Sequence, residues 1–144
     1  MVNRMTDAEL AFRAGELFNK RITAAFWDSF KGEYGHTQVE VLVYLHDHSE
    51  ANAAELCATI GVPKQHISKI VKGFLEDELL ENHPSPDDRR VGILSLSTKG
   101  KELLRKHYQI SDDHFDALMK KLPPATVELL RLSMQQMVEI LTEV

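Results

Sequence analysis

From Asp7 to Lys31, apolar residues recur at three- and four-residue steps through Leu10, Ala14, Leu17, Phe18, Ile22, Ala25 and Phe26. That is the spacing of one face of a long helix, and Thr6 or Asp7 stands where it can cap the start. Gly32 and Gly35 bound a short connector around Tyr34. "TQVEVLVYLHDH" (residues 37–48) follows, with Thr37 and Glu40 in capping-box spacing. Its β-branched residues alone would suggest a strand, but the cap and the elements beyond it argue for a second helix. Asn52 can cap a short third helix, "AAELCATI", which stops at Gly61. Val62 and Pro63 make the turn into a fourth helix, "KQHISKIVKGFLEDELL" (residues 64–80), with Pro63 in its first turn. Ile67, Ile70, Val71, Phe74 and Leu75 form its apolar stripe, and Lys64, Gln65, Ser68, Lys69 and Lys72 lie opposite. Gly73 is a mild cost inside it.

After Leu80 the period changes from helical to two. "LLENH" (79–83) and "GILSLS" (92–97) predict two strands joined by a proline-punctuated loop from Pro84 to Arg90, which makes a β-hairpin. Ser97 or Thr98 can cap a long helix, "KGKELLRKHYQISDDHFDALMKKL" (99–122). Pro123 and Pro124 break it and start a last helix. Val127, Leu130, Met134, Met137 and Leu141 share one stripe of that helix, and Leu129, Leu132 and Ile140 widen it. So broad an apolar face needs a partner, namely the first helix together with the same two helices of a second subunit.

The chain has 144 residues, enough for one well-cored domain. No apolar run is long enough to cross a bilayer, and residues 1–10 lack the apolar core of a signal peptide. One cysteine, Cys57, excludes an internal disulfide framework and fits a reducing cytoplasm. The net charge of −5 argues at first against a nucleic-acid partner. Its distribution changes that view. Residues 62–75 hold Lys64, Lys69 and Lys72 and no acid. Residues 89–106 hold Arg89, Arg90, Lys99, Lys101, Arg105 and Lys106 against Glu102 alone. A binding surface is set by such islands rather than by the total.

A short helix, a glycine-containing turn and a helix with one polar face form a helix-turn-helix pattern, and the hairpin adds a wing. A recognition helix presents base-reading groups from its first turns while its far side packs on the domain. Gln65 suits adenine; Lys64 and Lys69 suit guanine edges or phosphates; Ser68 suits either. His66 and Lys72 share that exposed side, and the helix starts at Thr37 and Asn52 offer backbone N–H groups to phosphates. Arg89 and Arg90 at the wing tip suit a narrow, electronegative minor groove. Asp88 fits as the partner that orients an arginine and pins the loop.

These residues resemble the MarR family of bacterial transcription regulators. "DDRRVGILSLSTKG" is similar to that family's wing motif, with Asp88, Arg89, Arg90, Leu96, Ser97 and Gly100 at the matching positions and Ser97 where Thr is usual. "VPKQHISKIVKGFLEDELL" is similar to its recognition helix, and "HTQVEVLVYL" to the helix that opens its DNA-binding lobe. Two departures stand out: Glu78 replaces a usual Gly, and Asn82 stands where Arg is common; both lower the local positive charge. The resemblance implies a mainly α winged helix-turn-helix fold. Residues 35–106 would bind DNA, and residues 1–34 and 107–144 would form a helical dimerisation region. It implies a homodimer on a pseudo-palindromic double-stranded DNA operator, with recognition helices roughly 34 Å apart. A small-molecule effector would modulate repression from the cleft between the lobes. No cofactor is implied, and the expected location is the cytoplasm.

Other readings remain open at this level. Phe26, Trp27, Phe30 and Tyr34 either line a pocket for an aromatic or amphipathic effector or are simply core. His46, Asp47, His48 and Glu50, with His107, Asp112, Asp113 and His114, contain residue types that suit zinc. His46 and His48, two apart, do not share a helix face. A zinc-sensing regulator of the same fold and a winged-helix module for protein partners are the alternative functions. Cys57 lies on an apolar helix without a basic neighbour, which favours a structural thiol over a redox sensor. There is no nucleophile with a paired base, no glycine-rich phosphate loop and no paired carboxylates, so an enzyme is not expected.

Overall fold

A computed structural model describes residues 4–144; Met1, Val2 and Asn3, the start of the segment expected to dimerise, lie outside the described residues. Helix α1 (Asp7–Phe18) opens on a reciprocal cap. The Thr6 hydroxyl accepts from the Glu9 N–H, and the Thr6 N–H donates to the Glu9 carboxylate. The long first helix predicted from periodicity is interrupted. A π-helical turn spans Asn19–Thr23 before α2 (Ala24–Asp28), and turns follow to residue 33. The inserted residue re-aims the apolar stripe. Leu10 and Leu17 before it are exposed, whereas Phe26 and Phe30 after it are buried. His114 supports the widened turn through an Nε2 contact of 2.8 Å to the Arg21 carbonyl.

Helix α3 (His36–His48) starts one residue earlier than predicted. Gly35, in extended backbone, takes the cap position, and its N–H donates to Gln38 Oε1 at 2.8 Å. Thr37 therefore sits inside the first turn and is not the cap; the reach of Gln38 decides between caps two residues apart. Strand β1 (Glu50–Ala51), which the pattern does not predict, follows after Ser49. Helix α4 (Ala53–Ile60) carries the predicted Asn52 cap, matched by Glu55, and ends at Gly61 with φ +75°. That left-handed turn is glycine's to make.

Helix α5 (Lys64–Glu76) is shorter than predicted. Its end is a Schellman-type turn: Leu79 N–H bonds the Phe74 carbonyl and Glu78 N–H the Leu75 carbonyl. The turn frees Leu79 and Leu80 to enter the sheet. Strands β2 (Leu80–Pro84) and β3 (Gly92–Leu96) pair antiparallel, with Leu80 opposite Leu96 and Pro84 opposite Gly92. β1 joins the other edge of β3, giving the order β1-β3-β2. Helix α6 (Thr98–Met119) is capped by Ser97, whose hydroxyl accepts from Gly100 N–H and donates to the Glu78 carbonyl at 2.6 Å. Helix α7 (Pro124–Thr142) begins at the second proline.

The core is one cluster around Phe30, Val39, Leu42, Leu45, Leu56, Ile67, Phe74 and Leu104, each about 1% exposed or less. Full burial of one such side chain contributes about 1.5–3 kcal/mol. By contrast, α1 and α7 contribute no buried residue, and Phe12, Leu129, Val138, Ile140 and Leu141 are all more than 60% exposed. No helix among the described residues is long and apolar enough to cross a membrane.

Candidate nucleic-acid interface

Packing of Ile67, Ile70 and Phe74 into the core leaves Lys64, Gln65, His66, Ser68, Lys69 and Lys72 exposed on the outer side of α5. The sequence dictates this split because the two sets alternate with helical period. Lys72 lies 4.0 Å from Glu76, one turn on, an exposed pair worth little.

The hairpin tip is built by short-range bonds. Ser85 N–H donates to the Val91 carbonyl and Val91 N–H to the Asp88 carbonyl. Asp88 Oδ1 accepts from both the backbone N–H (3.0 Å) and the Nε (3.3 Å) of Arg90. One carboxylate thus ties the loop and aims a guanidinium whose side chain is 92% exposed. Arg89 is exposed and enters no ion pair among the described residues.

Two grooves flank α5 and take in six of the ten predicted DNA-contact residues, while Arg89 lines neither. One, about 470 Å³, is lined by Asn52, Lys64, Asn82 and Arg90, so the start of α4, the start of α5 and the wing face a common space. The other, about 600 Å³, brings Thr37 at the start of α3 beside His66 and Lys69. Gln65, Ser68 and Lys72 line neither; they sit on the crest between. Asn82 is a groove residue that sequence reasoning treated only as a departure from pattern. Its signal is the strand register: it packs against Gly92, where a Cβ would stand 2.5 Å from its Oδ1.

The aromatic quartet separates. Phe26 and Phe30 are core residues, Phe26 stacked on Tyr108 and Phe30 on His107. Trp27 and Tyr34 stay half-buried and line a small 280 Å³ pocket with Phe30. The histidines proposed for zinc do not converge. His46 leans on Tyr108, His48 stacks on Tyr44, His114 holds Arg21, and His107 bonds Ser29. Among the described residues no group of three metal-ligating side chains forms. His107 is buried; burial lowers its pKa, and Glu33, 4.0 Å away, partly opposes this. The Ser29 hydroxyl donates to the Phe26 carbonyl and accepts from His107, which places the ring proton on Nδ1. Cys57 is half-buried.

The MarR family model matches residues 35–91. No curated protein matches the chain at a significant level. Among solved structures, RV1404 from Mycobacterium tuberculosis superposes with a TM-score of 0.80 at 19% identity, covering 95% of either chain. The transcriptional regulator Tm0710 from Thermotoga maritima gives 0.78 at 17%, covering 93% of this chain and 94% of that one. MepR of S. aureus bound to ethidium bromide gives 0.63 at 17%, covering 96% and 99%.

Proposed function

We propose, for a chain whose residues 35–91 belong to the MarR family of transcription regulators and whose fold is theirs, that it is a sequence-specific DNA-binding regulator acting as a homodimer on a pseudo-palindromic operator. It is a regulator rather than an enzyme. The observation that carries this reading is the pair of grooves flanking α5, one holding Asn52, Lys64 and Arg90 and the other Thr37, His66 and Lys69. On this reading α5 lies in a major groove with Gln65, Ser68 and Lys72 toward base edges and backbone. Thr37, His66 and Lys69 meet the phosphates on one side, and Asn52 and Lys64 meet them on the other. Arg89 and Arg90 reach the adjacent minor groove, with Asp88 fixing the approach of Arg90.

The dimer reading rests on α1 and α7. Each exposes large apolar side chains and neither is covered by the described residues, a surface that monomers rarely leave to water. Residues 4–34 and 107–144 would form that interface, and residues 35–106 the DNA-binding part. Binding of a small effector that releases DNA would make the protein a ligand-responsive repressor; MepR, a structural neighbour, has been solved with ethidium bromide.

Selection of bound duplexes from a random pool tests the proposal, followed by affinity measurement on the selected site. Arg90→Ala and Lys69→Ala are each expected to weaken binding about tenfold while leaving the dimer intact. Unchanged affinity in both at physiological salt would refute the assigned roles. Sedimentation of the free protein as a monomer at micromolar concentration would refute the dimer.

A further inference from the structure

Side chains alternate along a strand, so Leu80 and Asn82 of β2 share the face that meets the core, whereas Glu81 and His83, 3.5 Å apart, lie on the other. The register sets Asn82 opposite the buried Leu94 and diagonal to Gly92. Asn82 itself is exposed, in the groove between α5 and the wing. Gly92 makes room for it. A Cβ at that position would stand 2.5 Å from Asn82 Oδ1 and 3.2 Å from its Nδ2. Glycine lets the amide lie across β3, where any other residue would push it off. A short polar side chain is thus seated by steric fit alone.

The Asn82 amide makes no hydrogen bond among the described residues, and its neighbours in the groove also offer donors. Asn52 Oδ1 is taken by the Glu55 N–H at 2.9 Å, which leaves the Asn52 amide N–H groups. Lys64 adds an ammonium. Arg90 adds a guanidinium of which only Nε is engaged, by Asp88. No carboxylate is among the lining residues, although the chain carries a net charge of −5. Donors gathered from the helix starts, β2 and the wing tip suit an anionic group rich in acceptors. Position says which group. On the reading above, α5 enters a major groove and the Arg90 loop reaches the adjacent minor groove. A sugar–phosphate strand is what separates adjacent grooves of a duplex.

We propose that Asn82 is a DNA-contact residue, its amide donating to the backbone phosphate that passes between α5 and the wing, and that Gly92 is its positioning partner. The inference rests on the reading of the chain as a DNA-binding regulator and adds to it a contact that carries no charge. Neutrality gives the contact a signature: its loss lowers affinity without altering the number of counterions released, so the salt dependence stays as it was.

The test is affinity of the full-length protein for its selected duplex across a salt series. Asn82→Ala is expected to weaken binding about fivefold with an unchanged log–log slope. Asn82→Lys, which sets a cation at the same phosphate, is expected to tighten binding and steepen the slope by about one. Gly92→Ala displaces only the end of a flexible side chain, so it is expected to fold and to weaken binding as Asn82→Ala does. The double variant is expected to be no weaker than Asn82→Ala alone. Wild-type affinity in Asn82→Ala, or an unaltered slope in Asn82→Lys, would overturn the proposal. So would disappearance of the Asn82→Ala loss in an Arg90→Ala background, which would mean that Asn82 merely shapes the wing. Binding that responds to Lys69→Ala and Arg90→Ala but not to Asn82→Ala would refute this contact alone; a wild-type protein that binds no duplex would refute the regulator reading with it.

Discussion

Glu78 occupies the position that closes α5, and its backbone carries φ +61°. Three main-chain bonds force this: Asp77 N–H to the Gly73 carbonyl at 2.9 Å, Glu78 N–H to Leu75 at 3.1 Å and Leu79 N–H to Phe74 at 2.8 Å. Ser97 anchors the same residue by donating to its carbonyl. An L-residue in the left-handed region costs about 1–2 kcal/mol. Replacement by glycine removes that cost but adds about 0.4–1 kcal/mol of unfolded-chain entropy. Glu78→Gly is therefore expected to stabilise the protein by about 0.5–1 kcal/mol, roughly 2–4 °C in Tm for a chain of this size. Charge is a confounder, because Glu76, Asp77 and Glu81 lie nearby; Glu78→Gln removes the charge and keeps the strain. Urea unfolding of all three proteins at one fixed concentration isolates the backbone contribution, since subunit association would otherwise shift the midpoint. A glycine variant no more stable than the glutamine variant would show that the turn is not strained and that the reasoning is wrong.

Gly100 is a stricter case. A Cβ there would overlap the Leu79 carbonyl oxygen, so Gly100→Ala is expected to cost more than about 2 kcal/mol in the same assay. His107 makes stability depend on pH. Its folded pKa lies below the ordinary histidine value of 6.5, so its neutral form contributes stability that is present above about pH 6.5 and lost as pH falls. Between pH 7.5 and 5.5, wild type is expected to lose more unfolding free energy than His107→Gln; equal losses would remove His107 as the cause. At the wing, Asp88→Ala is expected to weaken DNA binding less than Arg90→Ala, and the double variant no more than Arg90→Ala alone, because Asp88 acts through Arg90. Additive losses in that cycle would contradict the orienting role. Affinity is expected to fall steeply with salt, and Lys69→Ala to lower the log–log slope by about one; an unaltered slope would mean that Lys69 meets no phosphate.

Much of the fold is legible along the chain because the deciding interactions span three or four residues. Thr6 with Glu9, Asn52 with Glu55, Gly61 as a left-handed stop, Ser97 before Gly100 and Pro124 at a helix start each announce a boundary locally. The helical alternation of Ile67, Ile70 and Phe74 with Lys64, Ser68 and Lys69 likewise assigns the faces of α5 before any partner is known. Where two local signals compete, the sequence misleads: Thr37 has the better cap chemistry, yet Gln38 reaches back to Gly35.

The remaining features depend on segments far apart in the chain. β1 is two residues long and exists only because β3 supplies its partners. The π-turn is met by His114, and His107 bonds Ser29 across 78 positions. The sorting of the basic residues also required the folded chain. Residues 89–106 form one positive run in sequence, but Arg90 faces a groove beside α5 whereas Lys101 and Arg105 face a different cavity. Side-chain period and capping act within a turn or two and are written in neighbouring residues. Contact between distant segments is chosen by how buried faces pack together, and that packing decides which charges share a space.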